Sequence, residues 1–240
     1  MDCWANCISG CSNNITKEHY VSDGFFEGKN ITAFGLHWCK DEPIKIGLAS
    51  AVAKILCTTH NNALSPYDSE AKNISEFITE SIREKPLEHH CIDINGWFLE
   101  KWALKTLFNL AYIGGLDQTN FTKLTPPENL VSYLFSDIEV KEGVGLYFIS
   151  TPINSGDYSN SISWNAIHNL SNDGEIIGMT FSFNGLRFII NTQPVQAEEI
   201  IKNMGVVKGI DYSKSEVVYR PKVINFRSNT AGTKTINLKW

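Results

Sequence analysis

Cys57 and His60 stand three residues apart, the spacing at which a thiolate and an imidazole grip one zinc ion from a tight turn. More thiols lie upstream at Cys3, Cys7 and Cys11, in a segment rich in Asn, Gly and Ser. A closed structural zinc site takes four such ligands in a tetrahedron. The pattern predicts one zinc held by Cys7, Cys11, Cys57 and His60, with Cys3 as the alternative to Cys7. Glu18 and His19 follow the first thiols, Asn61 directly follows His60, and Asp68 comes soon after. Carboxylates and carboxamides ligate hard divalent cations, and an imidazole can take a proton from water. Cys39 and Cys91 lack a local partner and are expected to be buried thiols. His89-His90-Cys91 resembles a ligand cluster, but histidine is also favoured near a helix end by the helix dipole.

Residues 1–14 suit a knuckle, because Gly10 and the Ser-Asn-Asn run break any helix. Ile15 to Val21 reads as a short strand carrying His19. Ile46 to Leu56 is mostly apolar and is expected to be helical in its early part. Ser65-Pro66-Tyr67-Asp68 has the form of a helix start, and the helix runs to about Glu84 before Pro86 stops it. Trp97 to about Tyr112 is apolar on most sides, which predicts a buried helix ended by Gly114-Gly115. A short helix is expected around Glu128–Phe135.

From Val144 the pattern turns to β. Strands are expected at Val144–Ser150, Ser161–Leu170, Ile176–Phe183, Leu186–Asn191, Val217–Phe226 and Thr235–Trp240, with a short helix over Glu198–Met204. Asn184-Gly185 between two apolar runs is a strong hairpin signal. The fold class is α+β: a small zinc-bound ββα module over residues 1–85, then a buried helix and a mainly antiparallel sheet over residues 86–240.

Length and composition bound the function. The 240 residues are enough for one large domain or two small ones, and the composition is that of a globular protein. No run approaches the ~18 apolar residues of a membrane span. Met-Asp-Cys-Trp opens the chain without a basic or apolar leader, so a cytoplasmic location is the expectation. There, cysteines serve more often as ligands than as disulfides. The net charge of −5 is not that of a nucleic-acid binder. However, residues 205–240 carry 7 basic and 2 acidic side chains, and Lys208, Lys214, Arg220, Lys222, Arg227, Lys234 and Lys239 form the candidate phosphate-binding segment.

Lys17-Glu18-His19 before an aliphatic strand, and Cys-x-x-His-Asn before Leu-Ser-Pro-x-Asp, resemble the zinc-braced HNH (ββα-metal) nucleases over roughly the first third of the chain. That resemblance implies a phosphodiester hydrolase acting in DNA processing or phage defence. It implies His19 as general base, Glu18 and Asn61 as ligands of a catalytic Mg²⁺ or Mn²⁺, and Asp68 as a further metal-facing acid, with zinc purely structural. Nucleic acid would be the partner, with a protein partner also open. The rival expectation is a non-catalytic zinc knuckle that binds a partner protein or nucleic acid.

Overall fold

The computed structural model describes residues 3–36, 38–83, 90–116, 125–151, 162–169, 175–194, 206–207, 210–211, 215–227 and 232–240. The fold is α+β, with mainly antiparallel sheets. It divides into two compact units, Met1–Lys72 with Lys101–Val140 and Asn73–Glu100 with Lys141–Trp240. Each unit is built from two chain segments, which differs from the expected single cut at residue 85. The reason is that each of the two long helices lends one end to each unit.

The first unit contains strands β1 (Ile15–His19), β2 (Asn30–Ala33), β3 (Ile44–Gly47) and β4 (Val52–Cys57). Strand β1 pairs antiparallel with β4, Ile15 opposite Cys57 and His19 opposite Val52. Strands β2 and β3 form a separate two-stranded ribbon. Helix α1 (Thr58–Ala63) follows β4 directly, and α2 (Ser65–Arg83) follows α1 after one residue. Of the helix expected in the early part of Ile46–Leu56, one 3₁₀ turn forms over Leu48–Ser50; the end of β3 precedes it and β4 takes the rest. Its three alanines favour helix, but Val52 and Ile55 are β-branched and the pairing with β1 decides the later part.

The β1–β4 register shifts between Thr16 and Lys17, so Ile55 has no opposite residue. A bulge of this kind frees backbone groups from the ladder. The freed Ile55 carbonyl accepts the Trp4 backbone N–H at 3.0 Å, which ties the N-terminal knuckle to the strand. Helix α3 (Gly96–Tyr112) supplies Trp102, Leu104 and Phe108 to the first unit's core, and α4 (Glu128–Phe135) adds Leu130, Val131 and Leu134. Phe25 stacks on Trp102 at 4.6 Å.

The second unit holds β5 (His90–Asn95), β6 (Gly145–Ser150), β7 (Ile162–His168), β8 (Ile176–Phe183), β9 (Leu186–Asn191), β10 (Val206–Val207), β11 (Ile210–Asp211), β12 (Glu216–Tyr219), β13 (Val223–Arg227) and β14 (Thr233–Lys239). A five-stranded antiparallel sheet runs in the order β12-β6-β9-β8-β7. A three-stranded sheet runs β13-β14-β5, with β14 and β5 parallel. The predicted turn joins β8 to β9, with Asn184 at φ 44° and Gly185 at φ 86°, the left-handed pair that a tight hairpin turn requires. Phe148, Phe181, Phe183 and Phe188 pack together at 5.2–6.3 Å on one face of the sheet.

The strand expected over Val217–Phe226 is two strands, β12 and β13, separated at Arg220, whose φ is 42°. Arg220 donates through Nε and Nη2 to the fully buried Glu100 carboxylate, at 3.0 and 2.9 Å, and its guanidinium lies 4.3 Å from the Trp97 ring centre. The helix expected over Glu198–Met204 lies outside the described residues, as does His89. Cys39 is buried as expected, but Cys91 is exposed, because alternation on β5 turns it away from the face that buries Ile94.

Candidate metal centre and the buried ion cluster

Strand β4 ends in Cys57, whose extended backbone (φ −77°, ψ 161°) makes it the residue before α1. One helical turn later His60 comes back beside it, which is how the three-residue spacing puts a sulfur and a ring nitrogen on one point. Cys3 and Cys11 complete the group. The ligand atoms of Cys3, Cys11, Cys57 and His60 all lie within 4.8 Å of one another. His60 Nδ1 is 3.4 Å from Cys3 Sγ, 3.5 Å from Cys11 Sγ and 3.4 Å from Cys57 Sγ.

These distances can be tested against zinc. Zn–S bonds of about 2.3 Å and Zn–N bonds of about 2.0–2.1 Å place sulfur and nitrogen about 3.5 Å apart in a regular tetrahedron. The nitrogen stands at that separation from all three sulfurs. Three thiols and one imidazole are also a soft set that selects zinc over magnesium or calcium. The outer face of His60 fits too, since Nε2 faces the Ser9 carbonyl at 3.3 Å. A hydrogen bond there leaves Nδ1 as the free ligand atom.

The cluster that could hold the metal therefore contains Cys3, the alternative ligand, and not Cys7. Cys3 is 1% exposed, whereas Cys7 is exposed. Trp4 explains the choice: its burial at 2% exposure, with its backbone held by Ile55, fixes the adjacent Cys3 inward. Burial pushes the Cys3 thiol above its usual range. Cys11 is pushed up to about 12 by burial and by its neighbours Cys3 and Cys57. Burial also raises Cys57, but hydrogen bonds from the His60 and Ser12 backbone and the Ser12 hydroxyl outweigh it and bring the thiol to about 6. Such a cluster cannot hold three thiolates without a cation to compensate them.

The residues expected to catalyse stand differently. Glu18 and His19 are consecutive on β1, so their side chains leave opposite faces of the strand. Glu18 is 7% exposed and His19 half-buried. Asn61 donates to Thr16 Oγ1 at 3.0 Å, on the Glu18 face of β1, and among the described residues no hydrogen bond joins it to His19. Asp68, in the first turn of α2, does come to Glu18, but through a residue that spacing could not reveal. Lys105 of α3 places its ammonium 2.5 Å from Glu18 Oε1 and 2.7 Å from both Asp68 oxygens. Its side chain is 2% exposed. Ser22 donates to Asp68 Oδ1 and accepts the Trp102 indole N–H at 2.9 Å.

Lys101, Lys105 and Asn109 are spaced by four on α3 and form one buried polar stripe, with Glu100 and Thr106 the other buried polar residues of the helix. Lys101 donates to the Ser136 carbonyl at 2.8 Å and lies 5.0 Å from the Tyr133 ring centre. That stripe was the available sequence signal for Lys105, and it was masked by the aromatic and leucine content around it. Comparison with protein-family models, with curated proteins and with solved structures finds no match to this chain.

The basic C-terminal segment also stands differently from the expected phosphate contact. Arg220 is bound to Glu100, Lys234 is 1% exposed, and Lys239 pairs with Asp93 at 2.5 Å. Lys222 and Arg227 are exposed, and Lys208 and Lys214 lie outside the described residues. Among the described residues, no helix is long and apolar enough to cross a membrane.

Proposed function

We propose that the first unit is a zinc-braced ββα module that serves binding and not hydrolysis, and that its partner is a protein. The observation that carries this reading is Lys105. Its ammonium contacts Glu18 and Asp68 at 2.5–2.7 Å, where a catalytic divalent cation would have to sit. A second cation cannot share that space, and a buried carboxylate at 7% exposure offers no route to the phosphate of a nucleic acid. The acidic chain, the pairing of Arg220 with buried Glu100 and the burial of Lys234 favour a protein over a polyanion.

The second reading is the metal-dependent nuclease, and two observations favour it: the order β1, β4, α1, and Asn61 directly after a zinc ligand, turned to the Glu18 face of β1. In that reading His19 is the base, with Glu18 and Asn61 holding Mg²⁺ or Mn²⁺. The test is cleavage of plasmid, single-stranded DNA and RNA by zinc-loaded protein, with and without 5–10 mM-order Mg²⁺ or Mn²⁺ (roughly the range that saturates weak carboxylate sites). The binding reading expects no cleavage. Metal-dependent cleavage abolished by His19→Ala would overturn it in favour of the nuclease.

A further inference from the structure

Trp4 follows the metal ligand Cys3 and touches the ion cluster at one remove. Its indole N–H donates to Asn109 Oδ1 at 3.0 Å. The Asn109 amide then donates to Glu18 Oε1 at 3.5 Å and to the His19 carbonyl at 3.2 Å. Glu18 Oε1 is the atom that meets Lys105, and Lys105 meets Asp68. Phe135 packs on both ends of the knuckle, 4.9 Å from the His60 ring and 6.3 Å from Trp4. Trp4, Asn109, Glu18 and Lys105 are all buried.

A buried chain of this kind has one satisfied arrangement. If Trp4 leaves, its indole N–H and the Asn109 oxygen both lose a partner where water does not replace it. Trp4 is held by its backbone N–H on the Ile55 carbonyl and by packing against Phe108 and Phe135, and it is bonded directly to Cys3, so a shift of that sulfur's residue moves it. We propose that zinc occupancy at Cys3, Cys11, Cys57 and His60 is thermodynamically linked to the order of the Glu18–Lys105–Asp68 cluster through Trp4 and Asn109. The proposal rests on the zinc reading. Asn109 is then a positioning residue for the metal centre although it touches no ligand atom. Linkage is reciprocal: zinc tightens the ion cluster by the same factor by which an intact cluster tightens zinc.

The experiment measures zinc affinity of the full chain by competition with a chromophoric chelator, for wild type, Trp4→Phe, Asn109→Ala and the double variant. Trp4→Phe keeps an aromatic ring and removes the N–H, so it carries the test if Asn109→Ala does not fold. Each single variant is expected to weaken zinc about 10-fold or more, as loss of outer support around metal ligands does. The double variant is expected to lose no more than Asn109→Ala, because that variant already removes the Trp4–Asn109 hydrogen bond along with the contacts to Glu18 and the His19 carbonyl. A purely structural role predicts instead that denaturant midpoints of the zinc-loaded and zinc-free proteins fall equally in each variant; linkage predicts a larger fall in the zinc-loaded form. Lys239→Ala, whose contact is with exposed Asp93, serves as the unaffected control. A wild type that holds no zinc overturns the zinc reading and the proposal with it. A zinc-loaded wild type whose variants bind zinc within about twofold, or lose affinity additively, overturns the linkage alone.

Discussion

Lys105→Met removes a buried ammonium and leaves its packing volume in place. The magnitude follows from what is stranded. At an effective dielectric of about 20, unit charges about 2.6 Å apart attract by about 6 kcal/mol before desolvation is counted. Most of that offsets the burial of the ions, and breaking a buried pair by deleting one partner costs about 3–5 kcal/mol in net terms. Glu18, with a side chain 8% exposed, bears more of the penalty than Asp68 at 31%, which water partly solvates. With a urea dependence of about 1–3 kcal/mol/M, the unfolding midpoint falls by about 1–5 M. Adding Glu18→Gln to Lys105→Met neutralises the stranded carboxylate and recovers about half of the loss or more. The assay is urea unfolding of zinc-loaded protein followed by tryptophan fluorescence, with each variant repeated in Mg²⁺. A midpoint shift below about 0.3 M for Lys105→Met would refute the claim that this lysine holds the two carboxylates together. A Lys105→Met protein restored by Mg²⁺ would show that the place is a cation site after all.

Arg220→Ala strands the fully buried Glu100 carboxylate and is expected to destabilise the second unit by about 3–5 kcal/mol, whereas Arg220→Lys keeps the charge, loses the two-pronged contact and falls between; denaturant midpoints rank the three. Burial raises the Glu18 pKa against the lowering effect of Lys105, so the folded protein holds that proton more tightly than the unfolded chain. Glu18's contribution to stability is therefore fully present below the ordinary carboxylate pKa of about 4 and is lost as pH rises through the raised folded value. Glu18→Gln is expected to flatten this part of the stability–pH profile, measured as the wild-type minus variant difference between acid and neutral pH.

What the sequence made legible was local. The Cys57-x-x-His60 pair needed only a strand entering a helical turn, and Asn184-Gly185 needed only two apolar flanks, so both stand where spacing put them. The choice between Cys3 and Cys7 was not local. Residues 3–14 have no periodicity to say which sulfur points inward, and the deciding contact is Trp4 against Ile55, far along the chain. Strand β4 went unread within Ile46–Leu56 for the same reason, because its partner β1 lies upstream across the β2–β3 ribbon. Lys105 was hidden by an apolar helix, yet it decides how Glu18 and Asp68 are read. The basic C-terminal residues looked like a surface by composition, but Lys234 lies on the inward face of β14, beside Ile236.

The zinc centre itself is tested most directly by metal content and by Co²⁺ substitution in wild type, Cys3→Ser and Cys7→Ser. One tightly held zinc per chain is expected in wild type and in Cys7→Ser, with the intense visible absorption of tetrahedral thiolate–cobalt after substitution. Weakened metal and a distorted cobalt spectrum are expected in Cys3→Ser. Full metal retention in Cys3→Ser together with loss in Cys7→Ser, or a folded wild type that holds no zinc, would contradict this assignment of the centre.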